Sequence, residues 1–477
     1  MKKGIWKSDW LVGLLITLVF LAFSGSDFLQ GLERSAYDFS VRSSTRIPSD
    51  KLAVIAIDDE SIANIGRWPW PRDVHARILE ILTEGGAKVI GQTVFFSEPQ
   101  IDPGLHFISE LKSAFEDSSI AAIPESVDDL EMVIKASRNL VKNKRDANGR
   151  SAIDQISEYL ANSPLKTRVA EEIDSYIQVL ASAEVALDAD LKLGESMALA
   201  NNVVLAMPFI PGTQLGPPDA DLPDYVRATK LAEDNITDNA SMNPDGPGPI
   251  SMVDTFAPIA AVGEAASGIG ALASIPDVDG GIRSEPLLVN YDGDYYPSMA
   301  LLLAAKSLNL GVNDIQAVFG NSVSLGRLNI KTDDKSLMNT FFYSDESAKQ
   351  AFPVDSFFDV LQGKIPASKY KDKVVLIGAT AIGIGDSMVT PINPGMAPVL
   401  TLAHSVSSIL NEDFFIQPSW GMYATLGAFV LVALHLMLAL PRMSSVVGFT
   451  VTALLFFAFF ASEYFMMIKH GVWIKLM

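Results

Sequence analysis

Apolar residues crowd the two ends of this chain, and a polar, acidic stretch separates them. The run Trp10–Phe28 is almost uninterrupted, and two longer runs follow at 420–440 and 446–468. Crossing a bilayer core takes roughly 20 apolar residues in a helix. The pattern therefore predicts a first transmembrane helix over 10–29, a domain over 30–418, and a hairpin of helices at the far end. A short cytoplasmic segment, 1–9, precedes the first span. The last residues, 473–477, read as the opening of a fourth span that is cut short. A cleaved signal peptide, with small residues at Ser24, Gly25 and Ser26, is the alternative for the first run.

Between the ends, the period changes several times. Leu52–Ile57 is a β-branched apolar run and reads as a buried strand. Pro71 suits the first position of a helix, and Val74, Ile78, Leu79, Ile81 and Leu82 give that helix one apolar face before Gly85-Gly86 stops it. Lys88–Phe96 reads as a second strand, so a βαβ unit with a parallel pair is expected. From about 105 to 200, apolar residues recur at three and four with many charges between, which predicts a helical insertion. Asn202–Met207 restores a strand. Residues 208–250 are rich in Pro, Gly, Asp and Asn and predict a long loop. Strands follow at Ile269–Ile275, Glu285–Tyr291 and Val374–Gly378. The fold class is α/β, with a mixed, partly parallel sheet, a helical insertion and flanking transmembrane helices.

Charge sets the orientation. Lys2, Lys3 and Lys7 precede the first run, and Arg442 lies in the turn between the last two. Lys and Arg favour the cytoplasmic side, so residues 30–418 are expected outside the plasma membrane. The formal charge of −20 argues against nucleic-acid partners. The chain has no Cys and only 5 His, leaving little for thiol, zinc or hydrolase chemistry. No catalytic residues, cofactor or metal are expected. Asn235-Ile236-Thr237 and Asn239-Ala240-Ser241 match the glycosylation triplet, which carries no meaning in a bacterial chain.

Several residues are candidates for ligand or signalling roles. Asp58, Asp59 and Glu60 follow the first strand, where ligands of open α/β sheets gather; a helix cap and solvated turn is the plainer role. Trp68 and Trp70, between prolines, can wall a pocket or pack on the core. Arg72 and His75 open the next helix and can meet an anion or pair with Asp58 or Asp59. Gly378–Asp386 follows a strand but lacks the residues of a phosphate loop. Asp277, Asp279, Asp292 and Asp294 form acidic turns without a complete calcium-loop signature. His435, inside an apolar run, is expected to hydrogen-bond another helix. Ala424 and Ala428 permit close helix approach in a dimer.

The blocks Ala53–Ser61, Gly66–Arg72 with His75, and Phe96-Ser97-Glu98-Pro99 resemble the second type of CHASE domain, an extracellular sensory module. The stretches 276–298 and 373–386 match as well, so the similarity spans roughly 36–418. The resemblance implies the input half of a bacterial membrane signalling protein, with one span before the sensor and three after it. It adds Glu98, Thr380 and Asp386 to the ligand or signalling candidates. It also implies a cytoplasmic output domain that this chain lacks, a Ser/Thr kinase or a nucleotide cyclase, and a homodimer by analogy with such receptors. The stimulus is an unspecified small molecule or protein. The chain departs from the family pattern at Thr93, where an acid is common, and at Pro398–Leu402, with His404 just beyond. A membrane-anchored solute-binding protein, or a scaffold, is the alternative function.

Overall fold

The computed structural model describes residues 9–23, 26–141, 147–162, 164–214, 216, 218, 221–237, 248–344 and 351–474. The three N-terminal lysines, Ser24, Gly25, the second glycosylation triplet and the final residues 475–477 lie outside them.

The chain divides into two compact units. The larger is built on a sheet of β1 (Leu52–Ile57), β2 (Val89–Gln92), β3 (Val203–Pro211), β4 (Ile250–Thr255), β5 (Gly268–Leu272), β6 (Leu288–Tyr291), β7 (Asp294–Pro297), β8 (Val354–Ser356) and β9 (Val374–Ala379). Their order is β8-β1-β9-β2-β3-β4-β6-β7, with β5 also on β3. The strands β8, β1, β9, β2, β3 and β5 run parallel to one another, while β4 pairs antiparallel with β3. The expected β1–β2 pair is therefore split: both strands point the same way, but β9 lies between them, with Leu52 opposite Val374 and Val374 opposite Val89. All six residues of β1 are buried. A parallel strand covered on both faces has no polar side, which is why its sequence shows no alternation. The second strand is shorter than its apolar run, ending at Gln92.

Helices pack on this sheet. We label α1 (Asp9–Phe23), α2 (Asp27–Arg42), α3 (Arg72–Glu84), α4 (Met299–Ser307), α5 (Pro398–Asn411), α6 (Gly421–Arg442) and α7 (Ser445–His470). The Ser298 side chain caps α4 by accepting from Leu301 N–H at 3.2 Å, and Met299 through Ala305 are all buried. Gly270 of β5 lets α4 approach closely, since a Cβ there would lie 2.5 Å from Met299 Cα. A substitution at Gly270 would have to push that helix away.

Parts of the region read as a long loop form strands. β3 runs on to Pro211, and Ile236–Thr237 joins Ile315–Val318, Ser322–Leu325 and Leu328–Lys331 in a small second sheet. A third sheet combines Ser284–Pro286, Leu337–Thr340 and Phe414–Phe415. The smaller unit, 71–73 with 99–193, is helical as expected, with helices at Pro103–Glu116, Ile123–Val141, Ala147–Asn162 and Leu165–Leu187. Lys112 ties two of them to each other through Glu184 at 2.8 Å.

Among the described residues two helices, α6 and α7, are long and apolar enough to cross a membrane. The first apolar helix is shorter, ends at Phe23, and is followed by α2 from Asp27. Met422, Leu426, Leu434, Phe449, Phe457 and Phe465 are among many apolar side chains on α6 and α7 that the chain leaves exposed. Uncovered apolar surface on this scale marks contact with a membrane or partner. The first helix crosses α6 at Gly13, where a Cβ would lie 2.7 Å from the Leu436 carbonyl oxygen. Small residues at such crossings let backbones approach.

Candidate functional site

Because β1, β9 and β2 are parallel and in register, their carboxyl ends open on one edge of the sheet. Asp58, Thr380 and Thr93 stand there, directly after those strands. The edge is largely satisfied by its own hydrogen bonds. Thr380 and Ala381 N–H both donate to the Ile57 carbonyl at 3.0 Å. The Thr93 hydroxyl donates to the Ile377 carbonyl at 2.9 Å.

Asp58 caps the short helix Asp59–Ile65, accepting from Ser61 N–H at 2.8 Å and from the Ser61 and Ser356 hydroxyls at 2.5 and 3.0 Å. The same Ser61 hydroxyl accepts from Phe358 N–H at 3.0 Å, joining two chain segments almost 300 residues apart. This is the cap role. Replacing Asp58 by Ala is expected to cost about 0.5–2 kcal/mol, the range for a lost N-cap, whereas Asp58→Asn, which keeps an acceptor, should cost less. Urea unfolding of the reconstituted variants measures both.

The two tryptophans and His75 do come together. Trp70 is buried and donates Nε1–H to the Gly66 carbonyl at 3.0 Å. Its ring lies 4.9 Å from Phe357 and 5.1 Å from Trp68. His75, also buried, sits edge-on to Trp68 and Phe96, and its Nδ1 lies 3.4 Å from the Gln92 amide nitrogen. Side chains fill this aromatic box, and Trp68, half-buried, is its most exposed member. Arg72 belongs to the helical unit, where its Nε meets Asp190 at 3.1 Å. Asp59, Glu98 and Asp386 lie on the surface.

A second constellation escaped the sequence reading. Arg283, only 7% exposed, holds three carboxylates. Its guanidinium grips Asp38 with two parallel bonds of 2.9 Å, and meets Asp277 at 2.8 Å and Asp279 at 2.9 and 3.0 Å. Arg34 adds an ion pair to Asp279 at 3.2 Å. The acidic turn thus holds an arginine. Burial alone would lower the Arg283 pKa, but its bonds to Asp38, Asp279 and Asp277 raise it above the ordinary value. The Arg283 hydrogen bonds hold Asp279 down to about 2. Asp38 lies on α2, the helix after the first apolar segment. The pairing joins residues 245 apart in sequence, and no local pattern announces it.

The outer face of α2 bears on α7: Phe39 lies about 6 Å from both Phe460 and Tyr464. Tyr37 packs at 4.7 Å on Trp473, just past the end of α7. Within the apolar hairpin, His435 Nε2 is 3.0 Å from the Thr452 hydroxyl, which joins α6 to α7.

Buried His404 and half-buried Glu285 give the domain opposing pH responses. His404 accepts from Tyr343 N–H through Nδ1 at 3.1 Å, and desolvation lowers its pKa to about 3. Glu285 accepts from the Ser405 hydroxyl at 3.0 Å, and desolvation raises its pKa to about 7 against the hydrogen bonds from Ser405 and Ser298. Below the ordinary histidine pKa the unfolded chain takes up a proton that folded His404 refuses, so its contribution falls as pH drops from about 6.5 toward 3. Glu285 works the other way: the unfolded chain loses a proton that the folded one keeps, so its contribution falls as pH rises from about 4.5 toward 7. His404→Asn, which keeps an acceptor, should therefore gain relative stability on acidification from pH 7 to 5. Glu285→Gln should lose it. Melting temperatures at the two pH values report the two signs.

Comparison with known proteins gives one match. The family model described as CHASE2 domain matches residues 12–440. No curated protein and no solved structure matches significantly.

Proposed function

Because the chain belongs to the CHASE2 domain family, whose members are extracellular sensory domains of signalling proteins, we propose that residues 30–418 are the external input module of a bacterial membrane receptor. The first apolar helix, α6 and α7 tether it as a multi-pass protein of the plasma membrane. A stimulus that favours one of two arrangements of the sensor is passed through these helices to a cytoplasmic output, a Ser/Thr kinase or a nucleotide cyclase. Such a stimulus acts only through its different affinity for the two arrangements. The family is sensory rather than catalytic, and the site residues accord with that. The strand-end residues cap, pack and pair.

One observation carries the transmission route. The helix α2 is held to the sensor by the Asp38–Arg283 pair and rests on α7 through Phe39. A shift of the loop that bears Arg283 therefore pulls on α2, and α2 lies against α7. The candidates Asp58, Trp68, Trp70 and His75 support this frame by fixing the strand ends. Asp59, Thr380 and Asp386 are the members left to face a stimulus.

A spin label at Ser444→Cys, in the turn between α6 and α7, tests the route in lipid nanodiscs. Asp38→Asn should change the mobility of that label, because it weakens the hold on α2. Identical spectra with and without the substitution would remove α2 from the pathway.

A further inference from the structure

A cleft of about 1120 Å³ opens where the sensor meets the start of α6. Its volume lies just above the range of ordinary ligand pockets, about 300–1,000 Å³. One wall is polar and comes from the small second sheet and the turn after it: Asn321, Lys331, Thr332, Asp333 and Asp334. The other wall is apolar and comes from the first turns of α6: Trp420, Met422, Leu426 and Phe429. Trp420, Met422 and Leu426 are all exposed.

We propose that this cleft is a binding site for a bilayer phospholipid with a zwitterionic amine–phosphate headgroup. The proposal rests on the reading that α6 crosses the membrane. Two observations lead to it. First, the apolar wall is the opening of that apolar helix, so an acyl chain lying along Met422, Leu426 and Phe429 continues into the bilayer without leaving apolar surface. Trp420 stands at the water–lipid boundary, where indoles are favoured. Second, the polar wall offers both signs of charge. Lys331 donates to Asn321 Oδ1 at 3.1 Å, leaving an ammonium directed at the cleft to meet a phosphate. Asp333 and Asp334 stand beside it to meet an amine, and the wall carries one more negative than positive charge. Asp333 is fixed by N–H donors from Lys335 and Leu337 at 2.9 and 2.8 Å. That balance favours a headgroup with its own cation over an anionic lipid.

The test uses the full chain reconstituted in vesicles of phosphatidylethanolamine and phosphatidylglycerol, with a photoactivatable phosphatidylethanolamine as probe. Labelled peptides are mapped by mass spectrometry. Label is expected in 320–334 and 415–429. Unlabelled phosphatidylethanolamine should compete for it, and phosphatidylglycerol should compete about tenfold less well, the ratio one charge-assisted hydrogen bond supports. Lys331→Glu should reduce the label in both peptides while leaving that on the remainder of α6 unchanged. Equal competition by the two lipids, or label confined to exposed positions such as Val430 and Leu434, would overturn the site while leaving α6 in the membrane. An α6 with no label anywhere would overturn the membrane reading and the site with it.

Discussion

Replacing Arg283 by Met is expected to destabilise the protein by about 3–5 kcal/mol, the cost of stripping a buried ion pair of one partner. The side chain is nearly sequestered, and three carboxylates converge on it. Removing the cation leaves Asp38, the least exposed of the three, without its counter-charge, and sets Asp277 and Asp279 against each other. Arg283→Lys should recover only part of the loss. An ammonium is a point charge and cannot make the paired bonds of 2.9 Å that the guanidinium makes to Asp38. Asp38→Asn should cost much less, since Arg283 retains two carboxylates. The order Arg283→Met, then Arg283→Lys, then Asp38→Asn, read by denaturant unfolding in nanodiscs, is the signature of a clamp centred on Arg283. Equal, small effects would mean that the cluster is a solvated surface network.

The second large effect is expected at Trp70. Truncation to Ala should cost about 3–5 kcal/mol, as for other buried aromatics. The indole is 2% exposed, packs on Phe357, and uses its N–H on Gly66. Trp70→Phe should recover the packing and lose only the hydrogen bond, on the order of 1 kcal/mol. This pair separates two roles for the aromatic loop. A core role predicts a large change in stability without any added ligand. A pocket wall predicts near-native stability and a loss that appears only when a stimulus is bound. Thermal unfolding of the two variants decides between them.

Much of this architecture can be read from the residues, because buried parallel strands and amphipathic helices leave strong local marks. Leu52–Ile57 and Val374–Gly378 are apolar on both faces, and the structure makes both into strands, the second running one residue further. The helical unit shows its three-and-four period across the whole insertion. What escapes is whatever depends on distant segments meeting. The insertion of β9 between β1 and β2 joins segments some 300 residues apart, and local patterning carries no information about that order. The small second sheet leaves a local mark of its own. Val323 and Leu325 alternate with polar residues, Gly326-Arg327 makes the turn, and Leu328 and Ile330 resume the alternation.

The candidate residues divide along the same line. Asp58 after a strand is a local signal, and its cap to Ser61 is a local event. The gathering of Trp68, Trp70 and His75 follows from their spacing around one turn and one helix start. Arg283 shows nothing of its importance in sequence, since its principal partner lies on a helix 245 residues away. Its neighbours Asp277 and Asp279 form an acidic turn without a calcium-loop signature, and the cation that occupies it is a side chain.

The account stands on the sensor lying outside the cell and the turn between α6 and α7 lying inside. The chain has no cysteine, so single cysteines can be placed at will. Ile382, 92% exposed, reports on the sensor, and Ser444, also exposed, reports on the turn. In intact spheroplasts a membrane-impermeant maleimide should label Ile382→Cys at once and Ser444→Cys only after lysis. Labelling of Ser444→Cys in intact spheroplasts, with Ile382→Cys protected until lysis, would contradict it.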